Sequence, residues 1–127
     1  AFARMIDEEK ARLQGVVGQL VSEGKKFAGY GASVGATTLI HHFDMGETLG
    51  FLVDDDPRNQ GLFSPNFHLP VLASDAIYDR NPDCIVIWAW PYAAPIVSKH
   101  QRFLDSGGQF IVPLPTAGIY QPVSSAN

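Results

Sequence analysis

Apolar residues recur at helical spacing along the opening of the chain: Phe2, Met5, Ile6, Leu13, Val16, Val17, Leu20 and Val21. The spacing predicts one long amphipathic helix. Gly24 is placed to end it, and the charges of Lys25 and Lys26 suit that end of the dipole. The lysine pair reads either as solvated positions before a strand or as an anion site. The pattern then switches period. A strand is expected at about Lys26 to Gly31, and a second helix carries Leu39, Ile40 and Phe43 until Asp44-Met45-Gly46. Thr48-Leu49-Gly50-Phe51-Leu52-Val53 is almost continuously apolar, as a strand buried on both faces must be. Leu69-Pro70-Val71-Leu72 reads as an edge strand, because Pro70 cannot donate to a ladder. Ser74 is placed to cap a short helix through Tyr78. Asp83-Cys84-Ile85-Val86-Ile87-Trp88 is the strongest strand pattern, followed by one helix with Ile96, Val97, His100, Phe103 and Leu104 in register and Gly107-Gly108 at its end. Gln109-Phe110-Ile111-Val112-Pro113 is the last strand. Strands alternating with helices predict a Rossmann-like α/β fold: a parallel sheet of about five strands with helices on both faces.

Composition narrows the function classes. The chain has 127 residues, 46% hydrophobic and 17% charged, with a net charge of −4. That is the size of one domain, and its acidity argues against a nucleic acid as partner, which calls for a basic face. No apolar run has the length of a membrane span and no signal peptide opens the chain. The single cysteine, Cys84, falls inside an apolar strand, where it reads as a packed thiol and fits a cytoplasmic address. The chain opens within a helical pattern and without an initiator methionine, as expected for a segment of a longer protein. The stretch from Gln121 to Asn127 is polar, and residues 116–127 are expected to form a loose tail.

The chemistry concentrates after the first strand. Gly29-Tyr30-Gly31-Ala32-Ser33-Val34-Gly35-Ala36-Thr37-Thr38 reads as strand, glycine turn and first helical turn. Such a turn aims backbone N–H groups, backed by the positive end of a helix dipole, at one spot suited to a phosphate. Gly29 and Gly31 give room for close approach, and Ser33, Thr37 and Thr38 add hydroxyls. The third glycine of a dinucleotide fingerprint is one place late, with Val34 in its position, and no Gly-Lys-Ser/Thr is present. ATP or GTP hydrolysis is therefore not expected, and a turn whose glycines serve packing is the competing reading. Asp54-Asp55-Asp56-Pro57 ends the second strand, where an acidic residue often accepts a ribose hydroxyl. Asp54 or Asp55 could do so, with Asp54 the better candidate; a solvated turn capped at Asp56-Pro57 is the alternative. Arg58 to His68 form an irregular stretch of a length that tends to carry function. Trp90 and Tyr92 are placed to stack on a base or sugar, whereas Trp88 belongs to the strand and to packing. His41 and His42 are adjacent and point apart, and His68 and His100 lie in different elements, so no metal site is expected.

Several blocks occur in a familiar order: Gly29-Tyr30-Gly31-Ala32-Ser33; Val53-Asp54-Asp55-Asp56-Pro57 with Gln60-Gly61; Pro65, His68 and Leu69-Pro70-Val71; Trp90; and Gly107-Gly108-Gln109-Phe110-Ile111-Val112-Pro113-Leu114-Pro115. Together they resemble the C-terminal domain of the sugar C-methyltransferase family over residues 1–115. The resemblance implies a parent with an N-terminal zinc-binding region and a central domain for S-adenosylmethionine, no cofactor being expected in this segment. It also implies a Rossmann-like C-terminal domain that helps hold a nucleotide-linked sugar. In that chemistry a base elsewhere removes a proton beside a ketone and the enolate attacks the methyl sulfonium. The expected role here is orientation of the substrate, without catalytic residues, by Gly31, Ala32, Ser33, Gly35, Thr37, Thr38, Asp54, Arg58, His68, Trp90 and Tyr92. Expected partners are a nucleotide-sugar-like small molecule and the rest of the parent chain, with neither nucleic acid nor membrane.

The chain departs from the family pattern at marked places. Val34-Gly35-Ala36-Thr37 stands where Ala-Lys-Gly-Asn is usual, Asn59 stands where a second lysine is common, and Asn66 where glycine is. Pro91 and Pro95 take the places of an asparagine and a glutamate. Two cations are thereby lost near the expected diphosphate, and Arg58 is the candidate replacement for one. A free-standing nucleotide- or coenzyme-A-binding regulatory module is the alternative function.

Overall fold

In the computed structural model, residues 2–65 and 67–121 are described. Helix α1 (Phe2–Ser22) buries Leu13, Val17 and Leu20, one stripe at the predicted spacing. Gly24 ends it with φ of 83°, a conformation that costs a glycine nothing, while Lys25 N–H donates back to the Leu20 carbonyl at 3.1 Å. The chain then lays down β1 (Phe27–Tyr30), α2 (Val34–His42), β2 (Leu49–Val53), β3 (Val71–Leu72), α3 (Ala76–Arg80) and β4 (Cys84–Ile87). A short 3-10 turn (Trp90–Tyr92), α4 (Ala93–Lys99), α5 (Gln101–Asp105), β5 (Gln109–Val112) and β6 (Gly118–Ile119) complete it.

The sheet has six strands in the order β3-β2-β1-β4-β5-β6. The first five are parallel, and β6 joins antiparallel to β5. The architecture is α/β and Rossmann-like, with one strand more than the five expected. The strand order reverses between β1 and β4, the place where open sheets leave a crevice for ligands. Two apolar layers cover the sheet. On one face α1 and α2 pack through Leu13, Val17, Ala36 and Ile40 onto Phe27, Leu52, Val86 and Trp88. On the other, Ile77 of α3, Ile96 and Val97 of α4 and Phe103 of α5 cover Ala28, Val53, Ile85 and Phe110. Each fully buried side chain of this kind contributes about 1.5–3 kcal/mol of transfer free energy.

Three local expectations are corrected. The helix predicted after β4 is broken at His100, which leaves helical geometry (φ −112°, ψ 36°) between α4 and α5. Ser74 does not cap α3 with its side chain, because its hydroxyl donates to Asp55 at 2.7 Å instead. Within the expected tail, Gly118–Ile119 pairs with β5, and Ala117 N–H donates to the buried Glu9 carboxylate of α1 at 2.7 Å. Asn66 and residues 122–127 lie outside the described residues.

Candidate functional site

The glycine turn sits at the carboxyl end of β1, against the end of β4. Gly31 has φ of 116°, and a Cβ there would lie 3.1 Å from the Ala89 nitrogen. Both the backbone conformation and the close approach of two chain segments demand glycine at this position. Gly29 is different. A Cβ on it would lie 2.6 Å from Leu52 Cδ2 and 2.8 Å from Trp88 Nε1, so its bareness lets the Trp88 indole cross β1 inside the core. Here the packing reading of the glycines holds. Gly35 meets only Ser33 Oγ at 3.9 Å, which leaves open space above the first turn of α2.

Ser33 is the N-cap of α2, in extended geometry, and its Oγ accepts the Ala36 N–H at 3.2 Å. The Thr37 N–H enters the helix by donating to the Ser33 carbonyl. Val34 and Gly35 therefore carry N–H groups that helix geometry leaves without intrahelical acceptors. Val34 itself is 84% exposed, so this end of the helix is open. The threonines behave differently from expectation. Thr37 and Thr38 both donate their hydroxyls to the Val34 carbonyl, at 3.1 and 2.8 Å, because a helical hydroxyl finds that acceptor on the preceding turn. Their hydrogens are turned onto the backbone, not toward a ligand.

The acidic run after β2 divides its work residue by residue. Asp54 Oδ2 accepts the Ala32 N–H at 2.8 Å and Oδ1 accepts the Asp56 N–H at 2.8 Å, with Asn59 Nδ2 at 3.4 Å from Oδ2. Asp54 thus clamps the glycine turn to the end of β2, with one lone pair of Oδ1 remaining. Asp56 takes Arg58 in a two-pronged ion pair, the shortest contact 2.8 Å. The guanidinium of Arg58 pushes the Asp56 carboxyl below its usual range, first through these hydrogen bonds. The cation expected to face the ligand is therefore matched by an acid two residues away.

Asp55 points to the other face of the sheet, into a cluster absent from the sequence reading. The Tyr30 hydroxyl donates to Asp55 Oδ2 at 2.5 Å, and Ser74 Oγ and Lys99 Nζ donate to Oδ1 at 2.7 and 2.8 Å. Tyr30 also meets His100 Nε2 at 3.1 Å, and Tyr78 meets Nδ1 at 2.7 Å. Since the Tyr30 hydrogen goes to Asp55, its oxygen accepts from Nε2–H, and Nδ1 accepts from Tyr78. One directed chain runs Tyr78 to His100 to Tyr30 to Asp55, beside a cavity of about 490 Å³. Burial raises the Asp55 pKa, but the bonds from Lys99, Tyr30 and Ser74 outweigh it and bring the carboxyl down to about 2. Burial, followed by the adjacent Lys99 charge, lowers the His100 pKa and keeps the imidazole neutral. Burial, followed by the bond to Asp55, raises that of Tyr30. The sequence carried a faint signal for this cluster: a tyrosine ending a buried strand and a histidine at a core position of a helix.

The remaining candidates are dispersed. Trp90 is half-buried and packs against the α1–α2 layer, while Tyr92 is 66% exposed beside it in the 3-10 turn. His68 is exposed in the β2–β3 connection, with φ of 52° and its N–H on the Ser64 carbonyl. Gly31, Ala32, Ser33, Gly35 and Asp54 are brought together; Arg58 follows through Asp56, and no hydrogen bond or ion pair joins His68 or Tyr92 to the turn among the described residues. Neither does any group of three or more His, Cys, Asp or Glu among them stand close enough to hold a metal ion.

The sheet gives the fold class, Rossmann-like α/β, and sequence comparison gives the family. Residues 1–115 match the C-methyltransferase C-terminal domain, and the chain belongs to that family. It is similar to the C-methyltransferase NovU of Streptomyces niveus, with 31% identity over 115 residues, 90% of this chain. The chain spans 27% of that relative's length. Among the described residues, no helix is long and apolar enough to cross a membrane.

Proposed function

We propose that this domain orients a nucleotide-linked sugar or similar small molecule for methyl transfer by a parent C-methyltransferase. The observation that carries the reading is the open N-terminus of α2 at the strand reversal, where Val34 and Gly35 offer N–H groups over empty space. Family membership and the likeness to a relative named as a C-methyltransferase support it. In this reading the diphosphate lies against the N–H groups and the free hydroxyl hydrogen of Ser33. Asp54 holds the turn in shape through Ala32 and offers its remaining lone pair to a ribose hydroxyl. Trp90 and Tyr92 flank the crevice as stacking surfaces for base or sugar. Arg58, tied to Asp56, and His68, on the long connection, act as outer contacts. S-adenosylmethionine, which supplies the methyl group, is assigned to the parent outside these residues, since the five parallel strands here make up a single sheet.

Calorimetric titration with a nucleoside diphosphate sugar tests the reading through position 35. Backbone dipoles alone contribute on the order of 0.3–1 kcal/mol each when exposed, so the affinity of the chain is expected to be weak. Gly35→Asp should abolish binding, because its carboxylate would occupy the same N–H groups and repel the phosphate. Gly35→Lys should strengthen it, as the position has room for a side chain. Unchanged affinity in both variants would overturn the proposal.

A further inference from the structure

The cavity beside His100, of about 490 Å³, has the size of a small-molecule site. Its inner wall is already satisfied. Ser74 and His100 are buried there, and the Asp55 carboxylate accepts from Tyr30, Ser74 and Lys99. The charges of Asp55 and Lys99 answer one another within the lining. Two further charged residues, Asp75 and Arg102, line the same cavity and are exposed. Among the described residues, neither has an ion-pair partner, and the two do not pair with each other.

The fold sets both groups in place. Asp75 stands at the N-cap of α3, where a carboxylate ordinarily accepts a backbone N–H of the first turn, yet its side chain makes no capping bond. Arg102 follows the break at His100 by two residues, and its guanidinium carbon lies 3.5 Å from the centroid of the Tyr78 ring. That ring is held in turn, because the Tyr78 hydroxyl bonds Nδ1 of the buried His100 at 2.7 Å. A guanidinium stacked on a ring keeps its N–H fork at the edge, free to meet a carboxylate. Tyr78 N–H donates to the Asp75 carbonyl at 3.1 Å, so the acid stands one turn of α3 from the ring that carries the cation. A free anion and a free cation thus border one cavity without neutralising each other.

We propose that this cavity binds a polar α-amino acid, its carboxylate on Arg102 and its ammonium on Asp75. One zwitterion satisfies both charges, whereas a simple anion leaves Asp75 repelling it and a simple cation leaves Arg102 doing so. The remaining wall suits a polar side chain: Gln60 spends its Nε2 on the Asp54 carbonyl at 2.9 Å and retains Oε1 as an acceptor. Asp75, Tyr78 and Arg102 lie outside the glycine turn, so the fate of this site leaves the nucleotide-sugar reading untouched. Amide chemical shifts of the labelled chain, followed during titration with L-glutamine, test it. Saturable shifts are expected at Asp75, Tyr78 and Arg102. Glutaramate, which lacks the ammonium, and 4-aminobutanamide, which lacks the carboxylate, should each bind at least about tenfold more weakly. Arg102→Gln and Asp75→Asn should each weaken L-glutamine by about tenfold, and in Arg102→Gln its advantage over 4-aminobutanamide should disappear. Should one variant not fold, the other and the two control ligands decide. The absence of saturable shifts at these residues, equal binding of either control ligand, or full affinity in a folded variant would overturn the assignment.

Discussion

One hydroxyl, that of Tyr30, serves two partners: it donates to Asp55 and accepts from His100. Tyr30→Phe would leave a buried imidazole N–H and a carboxylate oxygen without their partner. The expected loss is about 1–3 kcal/mol, read as a lower urea midpoint. The pH dependence has a definite sign. Asp55 has a folded pKa of about 2 against an ordinary 3.8, so its contribution is present above pH 3.8 and is lost as pH falls toward 2. His100 is also lowered, from 6.5, so its contribution is complete above pH 6.5 and declines as pH falls, the unfolded chain taking up the proton first. Urea midpoints measured between pH 7 and 3 should therefore fall with acidification, and Tyr30→Phe should flatten the lower part of the curve. The acid run was legible only as a group. Sequence alone could not assign Asp54 to Ala32 and Asp55 to Tyr30, because an extended backbone sends adjacent side chains to opposite faces and the register of the strand end decides which goes where. Asp54→Asn should melt earlier, because an amide cannot accept both the Ala32 and the Asp56 N–H as the carboxylate does, and should bind nucleotide more weakly; a variant that melts normally would show that the clamp contributes little to stability.

The glycines show how one residue type serves separate ends within a single element junction. Gly29→Ala would drive a methyl group into Leu52 and Trp88, an overpacking expected to cost about 1–3 kcal/mol in a denaturant titration. Gly35→Ala should instead stabilise the chain, by up to about 1 kcal/mol, because the position is helical and open. Periodicity found α1, the two-faced burial of β2 and β4, and the edge position of β3, since those follow from spacing of apolar residues and from Pro70. It missed the break at His100. An apolar stripe continues through that residue, and only the partners on β1 and α3, distant in sequence, draw the imidazole out of helical register. The threonines of α2 carry a related ambiguity: hydroxyls near a helix start are as able to bond the preceding carbonyl as to face a ligand, and here both reach the Val34 carbonyl.

On the scale of the whole molecule, the alternation of strand and helix sufficed for the parallel sheet, whereas the strand order and its reversal between β1 and β4 come from the structure. The antiparallel β6 escaped because its two residues have no pattern of their own; Glu9, reaching from α1 to Ala117, helps hold that segment. The Ala117 N–H, followed by Arg12, lowers the Glu9 pKa, so this tether should loosen as the carboxyl is protonated in acid. With one sheet present, the chain by itself should show no micromolar affinity for S-adenosylmethionine in calorimetry, and such affinity would move the cofactor into this domain. The central claim is that the open N-terminus of α2 receives the diphosphate of a nucleotide-linked sugar. The most direct measurement is an amide chemical-shift titration of the unaltered chain with a nucleoside diphosphate sugar, alongside the same sugar without its nucleoside diphosphate. The account predicts saturable shifts centred on Ser33, Val34 and Gly35 with the first ligand and none there with the second. Shifts that bypass these three amides, or that are the same for both ligands, would contradict it.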